Sequence, residues 1–505
     1  LDVYVNDVKV AGLDTVTLDE ISAEDGTGVV IEGEEDGDHT GIAAAAGDFN
    51  GDGYTDFVIS ADGTDDEEGS VYLIYGEEGG LPDIDLSDVA DGIGGFEITP
   101  ETDGEDIAIG EHVAFGDFNG DGYEDLLIAG YGTDAYVVLG TGEPLDSVSL
   151  DDVATGEGGF KLSYEVDPDI VLGDVSVTTV DLDADGYDEL VIGFDDENTE
   201  DETNGDVYVV EGSADVPDAI YYEDIENGDG GFAFTTDGEQ IGRGWSLSSG
   251  DVNGDGFEDL VLGAQTASPD SDSDIETGGA YIFYGSESLP DVTEAINLTE
   301  SADGETVTKI VGITDTYDGD GIGGSVAANG DVNGDGYDDI LLPTQYTADG
   351  TAFVILGGED LGAVIELENI VEGDGGYAIQ FEDSSTKYYT GTVAMGDANG
   401  DGYDDLIITT YDLDDDDLDN QVYVVFGQEE VPSGLYFENV AEGVGGFTMS
   451  ASDESDFGEY SLVSGFDLNN DGIEDIFAGA PYVEYDDAPG TGYIIYGSND
   501  WEDFA

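Results

Sequence analysis

The sequence predicts an all-β protein: a seven-bladed β-propeller with four antiparallel strands per blade, its ring closed by an N-terminal strand that completes the last blade. Three observations predict it. A nine-residue Asp-rich segment, followed at once by an apolar run, occurs seven times in the 505 residues at intervals of 64 to 80 residues. Around each copy the same series of short apolar strands recurs. The last repeat stops one strand short, and a strand of the missing kind stands near the start of the chain. A fixed period in this range marks a solenoid, a propeller or an array, and four short strands per period mark a propeller blade.

The nine-residue segment reads Asp-x-Asn-Gly-Asp-Gly-x-x-Asp with few departures, and it has the chemistry of a calcium loop. Calcium takes six to eight oxygen ligands at about 2.3 to 2.6 Å, and a tight turn supplies them by pointing alternate residues inward. Positions 1, 3 and 5 offer side-chain oxygens, position 7 its carbonyl, and position 9 a closing carboxylate. In chain order the expected ligands are Asp48, Asn50, Asp52, Tyr54 and Asp56; Asp117, Asn119, Asp121, Tyr123 and Asp125; Asp181, Asp183, Asp185, Tyr187 and Glu189; and Asp251, Asn253, Asp255, Phe257 and Asp259. The last three copies give Asp331, Asn333, Asp335, Tyr337 and Asp339; Asp397, Asn399, Asp401, Tyr403 and Asp405; and Asp467, Asn469, Asp471, Ile473 and Asp475. Up to seven structural calcium ions are expected. An EF-hand loop would instead close with an acid at position 12 and continue as a helix. Position 12 here is Ile59, Ile128, Ile192, Leu262, Leu342, Ile408 or Ala478, inside an apolar strand, so that reading fails.

The strands follow in order. The first leads into the loop and is built of small residues, as at 42–46 and 325–328, which suits the innermost position where blades converge. The second leads out of the loop and is apolar. The third is Tyr-rich and ends in Gly, at 71–76, 135–140, 207–212, 280–285, 352–357, 422–427 and 492–497. After a longer acidic link, the fourth opens on Gly and an aromatic at Gly95, Gly159, Gly231, Gly376 and Gly446, with 307–311 as a less regular version. Residues 28–33 have the fourth-strand pattern before any loop, and Val29 precedes Asp48 by the same 19 residues that separate Phe232 from Asp251. Residues 28–505 therefore form the propeller, closed without an exposed sheet edge at the seam. Residues 1–27 form an N-terminal segment, read as an extra strand, a linker or a docking segment from the alternation of Val3, Val5, Val8 and Val10.

On these residues, and on Gly479-Ala480-Pro481, the chain resembles the FG-GAP repeats of the integrin alpha-subunit propeller over residues 28–497. It departs from them at Ala129-Gly130-Tyr131 and Gly193-Phe194, at Asp183 and Glu189 in the third copy, and at Asn470 in the seventh. The resemblance implies that the calcium loops share one face, between first and second strands. It also implies a protein or glycan ligand on the opposite face, and a role in adhesion or extracellular recognition.

Composition carries a second message. The chain has 125 Asp and Glu against 5 Lys and Arg, a formal charge of −120. The loops use 22 of these acids, and seven calcium ions would still leave −106. A folded chain of this mass exposes roughly 17,600 Å², so net charges lie about 12 Å apart, against a Debye length of about 8 Å at physiological salt and about 3 Å at 1 M. Such a surface suits a halophilic protein kept soluble in brine. An acidic mineral- or calcium-sequestering matrix protein is the alternative. Disorder is argued against by 39% apolar residues in regular strand spacing. Nucleic acid and anionic membranes are excluded as partners of this surface, which has no basic patch for phosphate.

The expected function is an extracellular or cell-surface module for adhesion, recognition or surface assembly in high salt. The alternatives are a structural subunit of a surface filament or layer, self-assembling through residues 1–20, and a polysaccharide-acting propeller enzyme. No catalytic residue is expected. His39 and His112 are the only imidazoles, both read as link residues on the face opposite the loops, and no nucleophile motif accompanies them. That face also collects the acidic runs 198–204, 268–276 and 412–417 with Arg243, Trp245, Tyr317, Tyr388 and Tyr389. There is no Cys, no segment with the length of a membrane span, and a start at Leu1 that reads as a piece of a secreted precursor.

Overall fold

The structure is a computed structural model. It describes the chain apart from residues 1–2, 6–7, 11–14, 19–20, 24–25, 36, 64–68, 102–108, 131–133, 165–174, 195–206, 237–240, 242–245, 266–276, 291, 314–320, 345–349, 383–387, 413–419, 430–434, 451–455, 483–488, 500 and 502–505. Arg243, Trp245, Tyr317 and most of the acidic runs set apart above lie outside the described residues.

Seven sheets stand around one axis, and their innermost strands touch in sequence until the seventh meets the first. In the first blade Thr40–Gly47, Asp56–Ala61, Ser70–Ile74 and Gly95–Thr99 run antiparallel from the axis outward. The next five blades repeat this order, from Ile109–Gly116 in the second to Gly446–Ser450 in the sixth. The seventh is Leu462–Phe466, Asp475–Ala480 and Thr491–Ile495, and Gly28–Glu32 completes it by pairing antiparallel with Thr491–Ile495. The ring thus closes as the sequence predicts.

Each sheet has a fifth strand that the sequence reading omits. The link between third and fourth strands lays two or three residues parallel to the outer edge of the preceding blade: Ile84–Asp85 on the seventh, Val148–Ser149 on the first, Ala219–Tyr221 on the second. A short helix follows at once, as in Leu86–Ala90, where the Asp85 carboxylate accepts the Ser87 N–H at 3.0 Å as an N-cap. The N-terminal segment supplies the same strand for the sixth blade, since Thr15–Thr17 pairs parallel with Thr448–Ser450. Val16, Leu18 and Ile21 are buried there, and among the described residues the short strands Val3–Val5 and Val8–Val10 pair only with each other. The seam is therefore held on two blades.

The core lies between the sheets. Strands buried on both faces read as continuous apolar runs, and seven clusters of buried side chains each join two neighbouring blades. At the seam Phe57 of the first blade lies 5.1 Å from Phe477 and 5.7 Å from Phe466 of the seventh, ring to ring. Val29 and Ile31 of the closing strand belong to this same cluster.

Candidate metal centres

The seven Asp-rich loops all join the innermost strand of a blade to its second strand, which places them on one face. Their internal scaffold is repeated with little variation. In the first loop both Asp48 oxygens accept backbone N–H groups, from Asp52 and Gly53, each at 3.0 Å, and Asp52 accepts the Tyr54 N–H at 3.0 Å. The same bonds recur in the other copies, for example Asp121 and Gly122 onto Asp117 at 3.0 and 2.8 Å, and Asp471 and Gly472 onto Asp467 at 3.1 and 2.8 Å. Gly53 has φ +87 and its six counterparts lie between +86 and +92, the left-handed region that glycine enters without cost. Position 4 is left-handed too, and there the third and seventh copies depart: Ala184 has φ 55 and Asn470 φ 59. Asn tolerates this conformation, whereas Ala carries a strain of about 1 kcal/mol.

Position 9 is the first residue of the second strand and is buried in every copy. One Asp56 oxygen accepts the N–H of Gly76, at the end of the third strand, at 2.8 Å, and the other accepts the Asn50 N–H at 3.2 Å. This carboxylate therefore ties loop, second strand and third strand together. Burial pushes the seven position-9 acids up: Asp56, Asp125 and Asp339 to about 7, Glu189, Asp259 and Asp475 to about 8, and Asp405 well above its ordinary range. Neighbouring loop carboxylates, such as Asp52 and Asp48 beside Asp56, add to the effect.

The donor set fits a hard cation. Three oxygens of the expected ligands are buried without a hydrogen-bond partner, Asp259 Oδ2, Asp405 Oδ2 and Asn333 Oδ1, and so keep acceptor capacity that a cation can use. In the third loop Asp181, Asp183 and Asp185 bring one carboxylate oxygen each within 4.8 Å of one another, the only such acidic group among the described residues. Glu189 is not part of that group; its Oε2 accepts the Leu182 N–H at 2.9 Å.

Residues outside the expected ligand set connect the loops. At four junctions the position-7 tyrosine lies on the position-4 glycine of the loop before it: Tyr123 on Gly51, Tyr187 on Gly120, Tyr337 on Gly254 and Tyr403 on Gly334. A Cβ on Gly51 would stand 2.4 Å from Tyr123, and one on Gly120 would stand 2.4 Å from Tyr187. Position 8, ignored in the ligand pattern, is an acid in six copies and reaches back as well. Asp188 accepts the Asp117 N–H at 2.6 Å, Asp338 the Asp251 N–H at 2.7 Å, Asp404 the Asp331 N–H at 2.7 Å and Glu474 the Asp397 N–H at 2.8 Å. Glu124 and Glu258 take backbone hydrogen bonds from Asp48 and Asp181 in the same way. The signal in the sequence is the acid immediately before each closing acid, broken only by Thr55.

The two histidines are not placed alike. His39 leads into the first innermost strand as expected, with φ 56, its Nδ1 2.9 Å from Asp62 and its ring 4.6 Å from that of Tyr482. His112 lies within the second blade's innermost strand rather than in a link, and lines an axial cavity with Ser176, Leu247, Val326, Thr392 and Leu462. Burial holds its imidazole down to about 4. Tyr389 packs edge-on against Tyr411 at 5.5 Å.

Comparison with known proteins agrees with the blade architecture. Residues 40–74, 109–141, 175–210 and 243–283 match the FG-GAP repeat, and each stretch carries one loop with strands on either side. A phosphatidylinositol-glycan-specific phospholipase D of Bos taurus is 33% identical over 159 residues, 26% of this chain and 18% of that protein. Integrin alpha pat-2 of Caenorhabditis briggsae is 32% identical over 118 residues, 23% of this chain and 10% of that one. The chain thus spans less than a fifth of either relative. A solved structure described as the Dos1 propeller aligns over 94% of this chain and 96% of its own, at 10% identity and a TM-score of 0.39. Four blades of the closed ring of seven thus match the FG-GAP repeat, and in this the chain resembles the integrin alpha-subunit propeller.

Proposed function

We propose that the chain is a calcium-braced recognition module, acting at a cell surface or outside the cell in high salt, with calcium as a structural ion in up to seven loops. One observation carries the calcium reading. The same loop scaffold is repeated seven times on one face, and it leaves buried ligand oxygens at Asp259, Asp405 and Asn333 without a partner. Bound calcium would supply positive charge to carboxylates that burial otherwise holds protonated. The chain's own residues do the rest: positions 1 and 5 fold the turn, and position 9 joins it to two strands.

Adhesion or recognition is supported by the likeness to an integrin alpha chain, with a protein or glycan ligand on the face opposite the loops. The other relative is a phospholipase D, of which the match spans only 18%. High salt is supported by a charge of −120 on a surface of 20,425 Å². Among the described residues no helix is long and apolar enough to cross a membrane. A second reading, a subunit of a surface filament or layer, is favoured by one feature: Val3–Val5 and Val8–Val10 pair outside the seven sheets.

Thermal unfolding in about 3 M KCl, with and without a chelator, tests the calcium reading, and repetition in dilute buffer with calcium tests the salt reading. A melting temperature indifferent to chelation would overturn the first, and full stability in dilute buffer the second. Binding to glycan and protein arrays, with calcium present, then tests recognition. Ordered polymers that vanish when residues 1–14 are deleted would favour the filament.

A further inference from the structure

The position-8 acids make a contact that no ligand pattern assigns. Each sits on one blade and binds the first residue of the preceding blade's loop, the residue whose carboxylate folds that loop. Two bonds form at the junctions made by Glu124, Asp188, Asp338, Asp404 and Glu474. The position-8 carboxylate accepts the position-1 N–H, and the position-8 N–H donates to the position-1 carbonyl, as from Asp188 to Asp117 O at 3.1 Å, Asp338 to Asp251 O at 3.2 Å and Asp404 to Asp331 O at 3.3 Å. At the Glu124, Asp188, Asp338 and Asp404 junctions the position-7 tyrosine also covers the same loop's glycine. A loop is therefore not shaped by its own blade alone. Its first ligand is held, main chain and all, by the next blade, and a further negative charge is placed beside it.

We propose that Glu124, Asp188, Glu258, Asp338, Asp404 and Glu474 are positioning residues for the calcium site of the preceding blade, each orienting its position-1 Asp and raising its affinity for the cation. The series runs in one direction around the ring and breaks once. At the junction of seventh and first blades position 8 is Thr55, which has no carboxylate, so the loop of Asp467 lacks this support and is the weakest of the seven on that account. Groups that orient a ligand from behind affect metal affinity by about 10- to 100-fold. The inference rests on the loops holding calcium.

Calcium titration calorimetry of the full chain, with Asp188→Asn and Thr55→Glu variants, tests it. Asp188→Asn keeps the shape and removes the charge. It is expected to weaken one site about tenfold while leaving unfolding in chelator within a few degrees. Thr55→Glu is expected to strengthen one weak site. If Asp188→Asn leaves every site unchanged, or lowers the melting temperature equally with and without calcium, the acid is a structural peg and the inference is overturned. If Thr55→Glu changes no affinity, the assignment of the seam fails. No calcium uptake by the unaltered chain would sink the calcium reading itself, which these variants do not touch.

Discussion

Replacing Asp259 by Asn separates the two roles of the position-9 carboxylate. Its Oδ1 accepts the Gly285 N–H at 2.9 Å, a bond the Asn carbonyl oxygen can keep, while Oδ2 has no partner. Burial moves the group from its ordinary 3.8 to about 8. In chelator the folded chain then holds a proton that the unfolded chain releases, so stability is full below pH 3.8 and declines as pH rises toward 8. At pH 7.5 that decline amounts to about 5 kcal/mol at most, taking about 1.4 kcal/mol per tenfold change. Asn has no proton to release. For 505 residues unfolding together, the entropy of unfolding is about 1 kcal/mol/K, so the variant in chelator should melt up to about 5 °C higher at pH 7.5 and little changed at pH 4.5. Calcium should act the other way. A site filled at 100 times its dissociation constant stabilises by about 2.7 kcal/mol, and losing it should shrink the calcium-induced rise by about 3 °C. Differential scanning calorimetry at both pH values, with calcium and with chelator, gives all four numbers. A variant that melts lower in chelator, or that keeps the full calcium-induced rise, would refute the reasoning.

Three further outcomes are expected. Phe57→Ala removes a fully buried ring between Phe466 and Phe477 at the seam, and should lower stability by about 3 to 5 kcal/mol, read by thermal or denaturant unfolding. Val29→Asp puts a charge at a site that is 0% exposed in the closing strand, and should cost more than about 3 kcal/mol, read as a lowered melting point in calcium and brine. His112, held down to about 4 by burial, stays neutral in the fold while the unfolded chain takes up a proton below pH 6.5. Stability from this group is present above pH 6.5 and lost as pH falls toward 4, so His112→Gln should flatten the difference in melting temperature over that window.

The ring was legible because its determinants are local and repeated. Loop residues sit at fixed spacing, and the apolar strands beside them need no distant information to be recognised. Residues 28–33 could be matched to the seventh blade by their fourth-strand pattern, their distance from Asp48 and the strand the last repeat lacks. The fifth strand was not legible in that way. It spans two or three residues, too few for a period-2 pattern, and its partner lies on another blade. A trace exists in hindsight: Ile84-x-Leu86-x-x-Val89 recurs as Val148-x-Leu150-x-x-Val153 and as Val16-x-Leu18-x-x-Ile21. The last copy is why Thr15–Thr17 docks on the sixth blade. The ligand pattern was equally local, but position 8 acts across a blade boundary, so reading one loop at a time could not reveal its role.

The borrowed outer strand also sets how the molecule opens. In a linear array of repeats each unit touches only its neighbours, and the ends fray first. Here every sheet is finished by the chain segment that goes on to build the next blade, including the sixth, finished by Thr15–Thr17. Releasing one blade strips an edge from another and uncovers an apolar face on each side. Amide hydrogens in the second and third strands should therefore exchange with solvent at a common slow rate in all seven blades, reporting a single opening of the whole circle rather than seven separate ones.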